Sequence, residues 1–148
     1  MDSGQDPRRT NMNSIDIYLP GNPSTRTAQQ KGETVIRGRT HHYEKKEVRE
    51  AKEKLQRQLQ PYAPDEPIKG PVFLTINWGF ELKRCKREAW KLTRPDLDNL
   101  EKGLLDVMTK AGFWEDDSQV VLKTTSKKEV PIGEGFLHIS ISRLEDRT

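Results

Sequence analysis

The chain has 148 residues, of which 33% are charged and 32% hydrophobic, enough for one domain with a modest core. Its 26 Lys and Arg against 23 Asp and Glu give a formal charge of +3, which alone does not identify an anionic partner. The single cysteine, Cys85, excludes an intrachain disulfide and a thiolate metal cluster. No apolar run approaches the ~20 residues of a membrane span and no signal-peptide pattern follows Met1, so we expect a cytoplasmic protein without a membrane partner.

The first third of the chain is mostly polar. Residues 1–13 show no period, which predicts a flexible N-terminal tail before a single domain of residues 14–148. Alternating apolar residues predict a short strand over residues 15–19, which the following prolines and glycine end. Residues 24–42 predict a long polar loop that contains a small hairpin about Arg37–Gly38–Arg39.

The middle and the end of the chain carry clearer patterns. Residues 43–60 have an apolar stripe at helical spacing, which predicts a helix that ends at the prolines beyond it. Residues 71–80 give the strongest strand pattern, with alternate apolar side chains at Val72, Leu74, Ile76, Trp78 and Phe80. Alternation predicts two later strands at 120–124 and 137–141, and in the second of these His138 should face away from the core.

A second amphipathic helix is predicted over residues 98–111. Its apolar face consists of Leu97, Leu100, Leu104, Leu105, Met108 and Ala111. Gly112 stands where a left-handed residue commonly follows a helix. Asp98 occupies the expected N-cap position, and Glu101 three residues later completes a capping-box pattern. The carboxylate of Asp98 therefore has a purely structural explanation.

Asp96 lacks that explanation, because it lies outside the cap in a segment that Pro95 biases towards extended geometry. Side chains two residues apart in an extended segment point the same way, so Asp96 and Asp98 can aim at one point. Two carboxylates aimed together repel each other unless a cation or a proton lies between them. Mg²⁺ binds such oxygen ligands together with substrate phosphate, which makes this pair a candidate metal site.

A third carboxylate is available after the helix, from Asp116 or Asp117. The helix spans about 20 Å, and the six steps that follow it span at most about 20 Å when extended. One chain can therefore form the site only if residues 112–117 run straight back along the helix. A slack turn at Gly112 would require the third ligand to come from a second subunit.

The residues alone leave several functions open. Lys102 lies one turn after Asp98, so it either pairs with that carboxylate or faces a scissile phosphate. The acidic pattern fits metal-dependent phosphodiester chemistry, but it also fits a DNA-binding module whose acids only cap a helix. A small-molecule phosphohydrolase with Asp96 as nucleophile is a third candidate. It would need a phosphate-cradling glycine loop, and the sequence has none near Asp96.

Two stretches resemble RusA-type Holliday-junction resolvases: Asp96–Leu100 followed by Lys102, and Lys110–Val121. Weaker similarity reaches Leu19–Pro20, Pro23–Ser24 and the basic loop Arg37–His41, so that the resemblance covers about residues 14–145. The chain departs from the family in two places. Residues 1–13 have no counterpart, and Pro95 occupies a position where the family can be basic.

The resemblance implies a small magnesium-dependent endonuclease, of a kind often carried by prophages, that resolves four-way DNA junctions by symmetric paired cuts. By the match of motifs, Asp96, Asp98 and Asp117 are its catalytic, metal-binding aspartates, Lys102 is a catalytic lysine, and Asp116 is a candidate extra ligand. Mn²⁺ could replace Mg²⁺, and no organic cofactor is expected. The implied fold is α+β, with a small mixed β-sheet of about four strands flanked by helices, in a symmetric homodimer.

Residues 81–94 hold six Lys or Arg against two Glu and run directly into Asp96. We expect basic side chains to neutralise DNA phosphates around the acidic site, and the candidates are Arg37, Arg39, Lys83, Arg84, Lys86, Arg87, Lys91 and Arg94. For each of them, a solvated charged surface is the alternative. Trp90 and Phe113 could stack on bases at the branch point, but we predict core packing for both.

Overall fold

The computed structural model describes residues 9–11, 14–27, 31–36 and 39–145, with side chains described for 14–27 and 45–145. The described residues form two α-helices and eight β-strands. The helices are α1 (Lys46–Leu59) and α2 (Leu97–Ala111). The strands are β1 (Arg9–Asn11), β2 (Ser14–Pro20), β3 (Lys31–Ile36), β4 (Arg39–Glu44), β5 (Val72–Glu81), β6 (Ala89–Trp90), β7 (Val120–Val130) and β8 (Phe136–Arg143). This confirms the predicted α+β class.

Six strands form one mixed sheet in the order β1-β2-β8-β5-β7-β6. Its four long strands are the four that the sequence predicted, and the short β1 and β6 lie at its edges. Strands β5 and β7 are parallel, whereas all other neighbours are antiparallel. The predicted hairpin is also present, because β3 and β4 pair with each other on either side of residues 37–38. Arg37 itself lies outside the described residues.

One face of the sheet carries the core. The alternate residues that the sequence singled out in β5 are all buried, and they pack with Ile17, Ile139 and Ile141 of the neighbouring strands. Both helices contribute to this core, α1 through Leu59 and α2 through residues at helical spacing, namely Leu100, Leu104, Val107, Met108 and Ala111. Burial of these side chains on one side leaves the other face of the sheet polar.

The polar face carries a row of hydrogen bonds across four strands. His138 on β8 contacts Asp16 on β2 at 2.9 Å and Asn77 on β5 at 3.4 Å. Ser126 on β7 donates to Asn77 at 2.6 Å. His138 therefore faces away from the core, as predicted.

The predicted start of the first helix and the predicted end of the third strand were wrong. The first helix was expected over 43–60, but α1 begins at Lys46 because residues up to Glu44 pair as a strand with β3. The third strand was expected over 120–124, but β7 continues to Val130. Its later part is rich in Lys, Thr and Ser, so it lacks the apolar alternation on which the prediction depended. The expected tail contains the three residues of β1; residues 1–8 and 12–13 lie outside the described part of the chain.

Helix α2 connects the parallel strands β5 and β7 and runs antiparallel to both. Two contacts to β7 establish its direction. Lys127 hydrogen-bonds to the carbonyl oxygen of Pro95, just before the helix, and Lys123 forms an ion pair of 2.8 Å with Glu101 in its first turns. The start of α2 therefore lies at the far end of β7, and the end of α2 lies near the first residues of β7. In the described residues, no helix is long and apolar enough to cross a membrane.

Candidate active site

Asp96, not Asp98, is the N-cap residue of α2. Its backbone is extended (φ −74°, ψ 149°), and Leu97 is already helical, with its side chain packed against the core. The predicted N-cap role of Asp98 was therefore wrong by two residues. Glu101 does not close a capping box and instead forms the ion pair with Lys123.

The carboxylates of Asp96 and Asp98 are consequently not used as structural caps. The side chain of Asp96 makes no capping hydrogen bond, and both residues are exposed. Neither carboxylate has a hydrogen-bond or ion-pair partner among the described residues. Asp98 also lies in the first turn of α2, where unpaired backbone N–H groups favour negative charge. Both carboxylates remain available to bind a cation at this end of the helix.

Lys127 holds the segment that leads into Asp96. Its ammonium donates to the carbonyl oxygen of Thr93 at 2.8 Å and to that of Pro95 at 2.9 Å. Pro95 is itself buried. Sequence reasoning missed this role, because a lysine on a strand gives no indication of two backbone carbonyls brought beside it by a crossover helix.

Asp116 and Asp117 begin a single turn of 3-10 helix, and Gln119 holds that turn in place. The side-chain oxygen of Gln119 accepts from the backbone N–H groups of Glu115 (2.9 Å) and Asp116 (3.1 Å). Its side-chain nitrogen donates to the carbonyl oxygens of Ile68 (2.8 Å) and Gly70 (3.0 Å). One amide therefore ties the acidic pair to the segment that precedes β5.

The two carboxylates of this pair affect each other. The backbone N–H of Ser118 and the side chain of Asp117 hydrogen-bond to Asp116, and these bonds lower the pKa of Asp116. Desolvation raises the pKa of Asp117, and the hydrogen bond and charge of Asp116 and the charge of Asp106 raise it further. A pair with pKa values separated in this way favours a proton or a cation between its members.

Within one chain, the pair Asp96 and Asp98 lies at the start of α2, whereas the pair Asp116 and Asp117 lies near its end. Lys127 marks the position of Asp96 along β7, whereas Asp117 precedes Val120, the first residue of that strand. Lys127 lies seven residues after Val120, which corresponds to about 23 Å along the strand. In agreement, no group of three or more His, Cys, Asp or Glu residues could hold a metal ion within the part of the chain that the structure describes.

The segment after α2 explains this separation. Gly112 ends the helix in the left-handed conformation (φ 91°), as predicted. Phe113 and Trp114 are then buried, and the indole nitrogen of Trp114 donates to Thr109 at 2.8 Å. The chain therefore turns into the core beside the last turns of α2. There the charge of Asp106 contributes to the raised pKa of Asp117. The straight return along the whole helix, which a one-chain site requires, does not occur.

Lys102 is exposed and forms no ion pair with Asp98 in the described structure. Most of the expected DNA-binding residues are exposed as well, namely Lys83, Arg84, Lys86, Arg87 and Arg94. Lys91 is half-buried, since its ammonium donates to Thr93 at 2.9 Å and lies 5.3 Å from the centre of the Phe80 ring. Arg39 begins β4, but its side chain is not described, and Arg37 is outside the described residues.

Phe113 and Trp90, the two aromatic residues considered for base stacking, differ in burial. Phe113 is fully buried, as predicted. Core packing was wrong for Trp90, because 67% of this residue is exposed. It lies on the edge strand β6, and the Lys128 ammonium is 5.4 Å from its ring centre. Leu92, which follows it, is 91% exposed. Two apolar side chains therefore project from the basic segment just before Asp96.

A cavity of 420 Å³ lies on another side of α2, between that helix, α1 and the residues after β2. Its polar lining includes Arg26, Lys54 and Asn99, the residue that follows Asp98. No sequence pattern groups these residues, because they come from three separate parts of the chain. The cavity adds cationic surface next to the acidic end of α2.

Comparisons with known proteins agree on one family. The family model described as endodeoxyribonuclease RusA matches residues 20–141. A crossover junction endodeoxyribonuclease RusA of Lactococcus phage r1t is 38% identical over 98 residues, which is 64% of this chain and 73% of the relative. The protein of that name from Escherichia coli O139:H28 is 34% identical over 135 residues, or 91% and 99% of the two chains. The one from Escherichia coli K12 is 33% identical over 133 residues, or 90% and 98%.

Proposed function

Because the chain belongs to the RusA family of endodeoxyribonucleases, we propose that it resolves four-way DNA junctions by metal-dependent cleavage of phosphodiester bonds. The single observation that supports this proposal most directly is that the carboxylates of Asp96 and Asp98 are unused by the fold. Both carboxylates are exposed at the start of α2 and are free of structural hydrogen bonds in the described chain. They follow directly on a segment of net charge +4, which would hold the phosphates of DNA beside them.

The donor set fits a hard divalent cation. Carboxylate oxygens that are not used elsewhere are the ligands that Mg²⁺ or Mn²⁺ takes, together with substrate phosphate. Asp96 and Asp98 of one chain would hold the metal together. Since Asp117 of the same chain lies at the other end of α2, Asp117, with Asp116 as the extra candidate, would join them from a second subunit. When bound, such a metal lowers the pKa of a water molecule and stabilises charge on the attacking and leaving oxygens.

The side chains of the chain itself would bind and orient the DNA. Lys102 is an exposed cation one turn after Asp98, so it can contact a phosphate beside the cleaved bond. The exposed arginines and lysines of residues 83–94 would neutralise phosphates on the flanking arms. Lys127 would keep Asp96 at a fixed position by holding the two carbonyl groups before it.

A homodimer suits this substrate. A four-way junction has two equivalent strands to cut, related by a two-fold axis. A dimer with the same symmetry presents two identical sites to those strands, which makes paired symmetric cuts the expected product.

A junction-binding module without catalysis is the alternative. The two are distinguished by incubating the purified protein with a synthetic four-way junction and with linear duplex of matched sequence, in Mg²⁺ and in EDTA. We expect symmetric cuts in the junction only, and only with Mg²⁺. Tight junction binding without any cut in Mg²⁺ or Mn²⁺ would support the binding module instead.

A further inference from the structure

We infer that the cavity between α1, α2 and the segment after β2 takes one unstacked nucleotide of the junction, beside the acidic site of Asp96 and Asp98. The inference rests on the proposed function for the identity of its DNA substrate. It adds a second binding site for the same DNA strand, because none of the acids lies in the cavity.

The cavity has the size and the lining of a pocket for a flat organic group. Its volume of 420 Å³ falls within the range of about 300–1,000 Å³ that is usual for ligand pockets. Trp78, Leu100 and Leu104 line it with apolar surface from the core, whereas Asn22 and Gln58 are polar and exposed. Sites for an unstacked base combine apolar and aromatic walls with hydrogen-bonding groups in this way.

Two buried polar side chains in the lining have no hydrogen-bond partner. Thr27 is 6% exposed and Trp78 is 4% exposed. In the described part of the chain, neither the hydroxyl of Thr27 nor the indole nitrogen of Trp78 forms a hydrogen bond. Because buried polar groups are nearly always hydrogen-bonded, these two groups call for a polar partner inside the cavity. The edge of a nucleobase carries such donors and acceptors.

The charge of the lining favours a group that carries a phosphate. Among the described residues, no Asp or Glu lines the cavity. The charge of Lys52 is offset by Asp106 at 3.7 Å. Arg26 and Lys54 are exposed and form no ion pair within the described chain. Two available cations beside an apolar pocket match the composition of a nucleotide, which joins a flat base to an anionic phosphate.

The cavity lies next to the proposed catalytic acids. Asn99 and Gly103 line it from α2, and Asn99 directly follows Asp98. Consecutive residues of a helix are separated by about 1.5 Å along its axis and about 100° around it. The cavity therefore begins at the level of Asp98, on the neighbouring side of the helix. A strand whose phosphate meets Asp98 brings an adjacent nucleotide to the cavity.

Hydrogen bonds hold the wall of the cavity in place. The N–H of Gly21 donates to the carbonyl oxygen of Gly135 at 2.9 Å. The side-chain oxygen of Asn22 accepts from the N–H of Glu81 at 2.9 Å. These bonds join the segment after β2 to the end of β5 and to the residue before β8. The pocket is therefore formed before any DNA binds.

Such a site distinguishes a junction from linear duplex. A base in an intact duplex must be unpaired and unstacked before it can enter a pocket, whereas this cost is smallest for a base that has already lost its partners. Bases at a branch point are the ones most easily displaced. The cavity is thereby occupied in the junction complex and stays empty on linear duplex.

Filling the cavity tests this inference without any cleavage. Outside its own helix, a Cβ added at Gly103 meets only the Cε atom of Lys52, at 4.0 Å. Gly103→Leu therefore extends a side chain into the cavity, and Gly103→Ala is the matched control that removes the same glycine without filling it. Affinity is measured by fluorescence anisotropy in EDTA. We expect Gly103→Leu to bind a four-way junction about 5- to 150-fold more weakly than Gly103→Ala, which is the loss of stacking for one base. The two variants should bind linear duplex equally.

Junctions with one base removed would locate the nucleotide. When the abasic position is moved around the branch point, the difference between the two Gly103 variants should vanish at one position and persist at the others. If Gly103→Leu does not fold, as judged by circular dichroism, Gln58→Trp fills the cavity from an exposed position on α1. It should show the same pattern relative to the wild type.

The outcomes separate this inference from the proposed function. Equal junction affinity of the two Gly103 variants overturns the nucleotide site and leaves the proposed function intact if the wild type cuts junctions in Mg²⁺. An equal loss on linear duplex and on every abasic junction also overturns it, since a general obstruction of DNA would have that effect. The expected pattern in a wild type that cuts no junction supports the nucleotide site and refutes the proposed cleavage.

Discussion

The ammonium of Lys127 donates to the carbonyl oxygen of Pro95 at 2.9 Å, which joins the far end of β7 to the residue immediately before Asp96. A second hydrogen bond of 2.8 Å, to the carbonyl oxygen of Thr93, fixes the same segment at another point. The position of Asp96 is therefore set from the sheet as well as from its own helix. This contact also shows that Asp96 and Asp117 lie at opposite ends of α2 within one chain.

We expect Lys127→Met to lower kcat for junction cleavage by about 10- to 100-fold, because small displacements of a catalytic group are costly. Junction affinity and the far-UV circular dichroism should change little, since Lys127 contacts only protein carbonyls. Lys127→Arg should recover part of kcat by keeping the donors. The control is Lys110→Met, an exposed lysine in the last turn of α2. A Lys127→Met enzyme with wild-type kcat would contradict the positioning role.

Gln119→Ala should destabilise the fold and loosen the acidic turn. The substitution leaves the N–H groups of Glu115 and Asp116 and the carbonyl oxygens of Ile68 and Gly70 without this partner. We expect a loss of about 1–3 kcal/mol in the free energy of unfolding, measured by urea titration. Gln58→Ala, on the exposed side of α1, should stay within about 0.5 kcal/mol of the wild type. Equal stability of the two variants would show that Gln119 does not hold the turn.

The sequence predicted strands and helices correctly where a single residue pattern is enough to determine the element. Alternation in β5 predicted a buried strand, and the apolar spacing before Gly112 predicted α2 and its end. The N-cap of α2 was misplaced because the capping-box pattern does not say whether Leu97 can enter the helix. It does so by packing against the core, and this contact depends on the tertiary structure.

The geometry of the acids could not be predicted from spacing alone. The reach from Ala111 to Asp117 permitted a site in one chain, but the route of that segment depends on the burial of Phe113 and Trp114. The burial of Trp90 was wrongly predicted for a related reason. A two-residue edge strand exposes its outer side chains, and the sequence pattern around Trp90 does not reveal that β6 is an edge.

Trp90 should report directly on junction binding. Trp78 and Trp114 are buried, so acrylamide should quench mainly the fluorescence of Trp90 in the free protein. If its indole stacks on an unpaired base at the branch point, a four-way junction in EDTA should protect it from acrylamide more than linear duplex does. In Trp90→Phe this difference should disappear while the ring can still stack. Unchanged quenching at saturating junction, with binding measured independently by anisotropy, would contradict stacking by Trp90.

Junction affinity should fall steeply with salt, because the exposed basic residues before Asp96 would displace counterions from DNA. We expect the double variant Arg84→Gln, Arg87→Gln to reduce the slope of log affinity against log salt by up to about 2. The matched control, Lys69→Gln with Lys110→Gln, removes two exposed charges outside this segment. If both double variants lower the slope equally, the segment 83–94 is not the principal phosphate-binding surface.

We expect the uncapped acids at the start of α2 to serve catalysis and not to hold the fold together. The most direct measurement compares junction cleavage in Mg²⁺ and junction binding in EDTA for wild type, Asp98→Asn and the exposed control Asp65→Asn. We predict that Asp98→Asn lowers the rate of junction cleavage by at least about 100-fold. It should keep or tighten junction binding, since one negative charge is removed near DNA. Asp65→Asn should match the wild type in both assays. Normal cleavage by Asp98→Asn would show that this carboxylate does not serve catalysis.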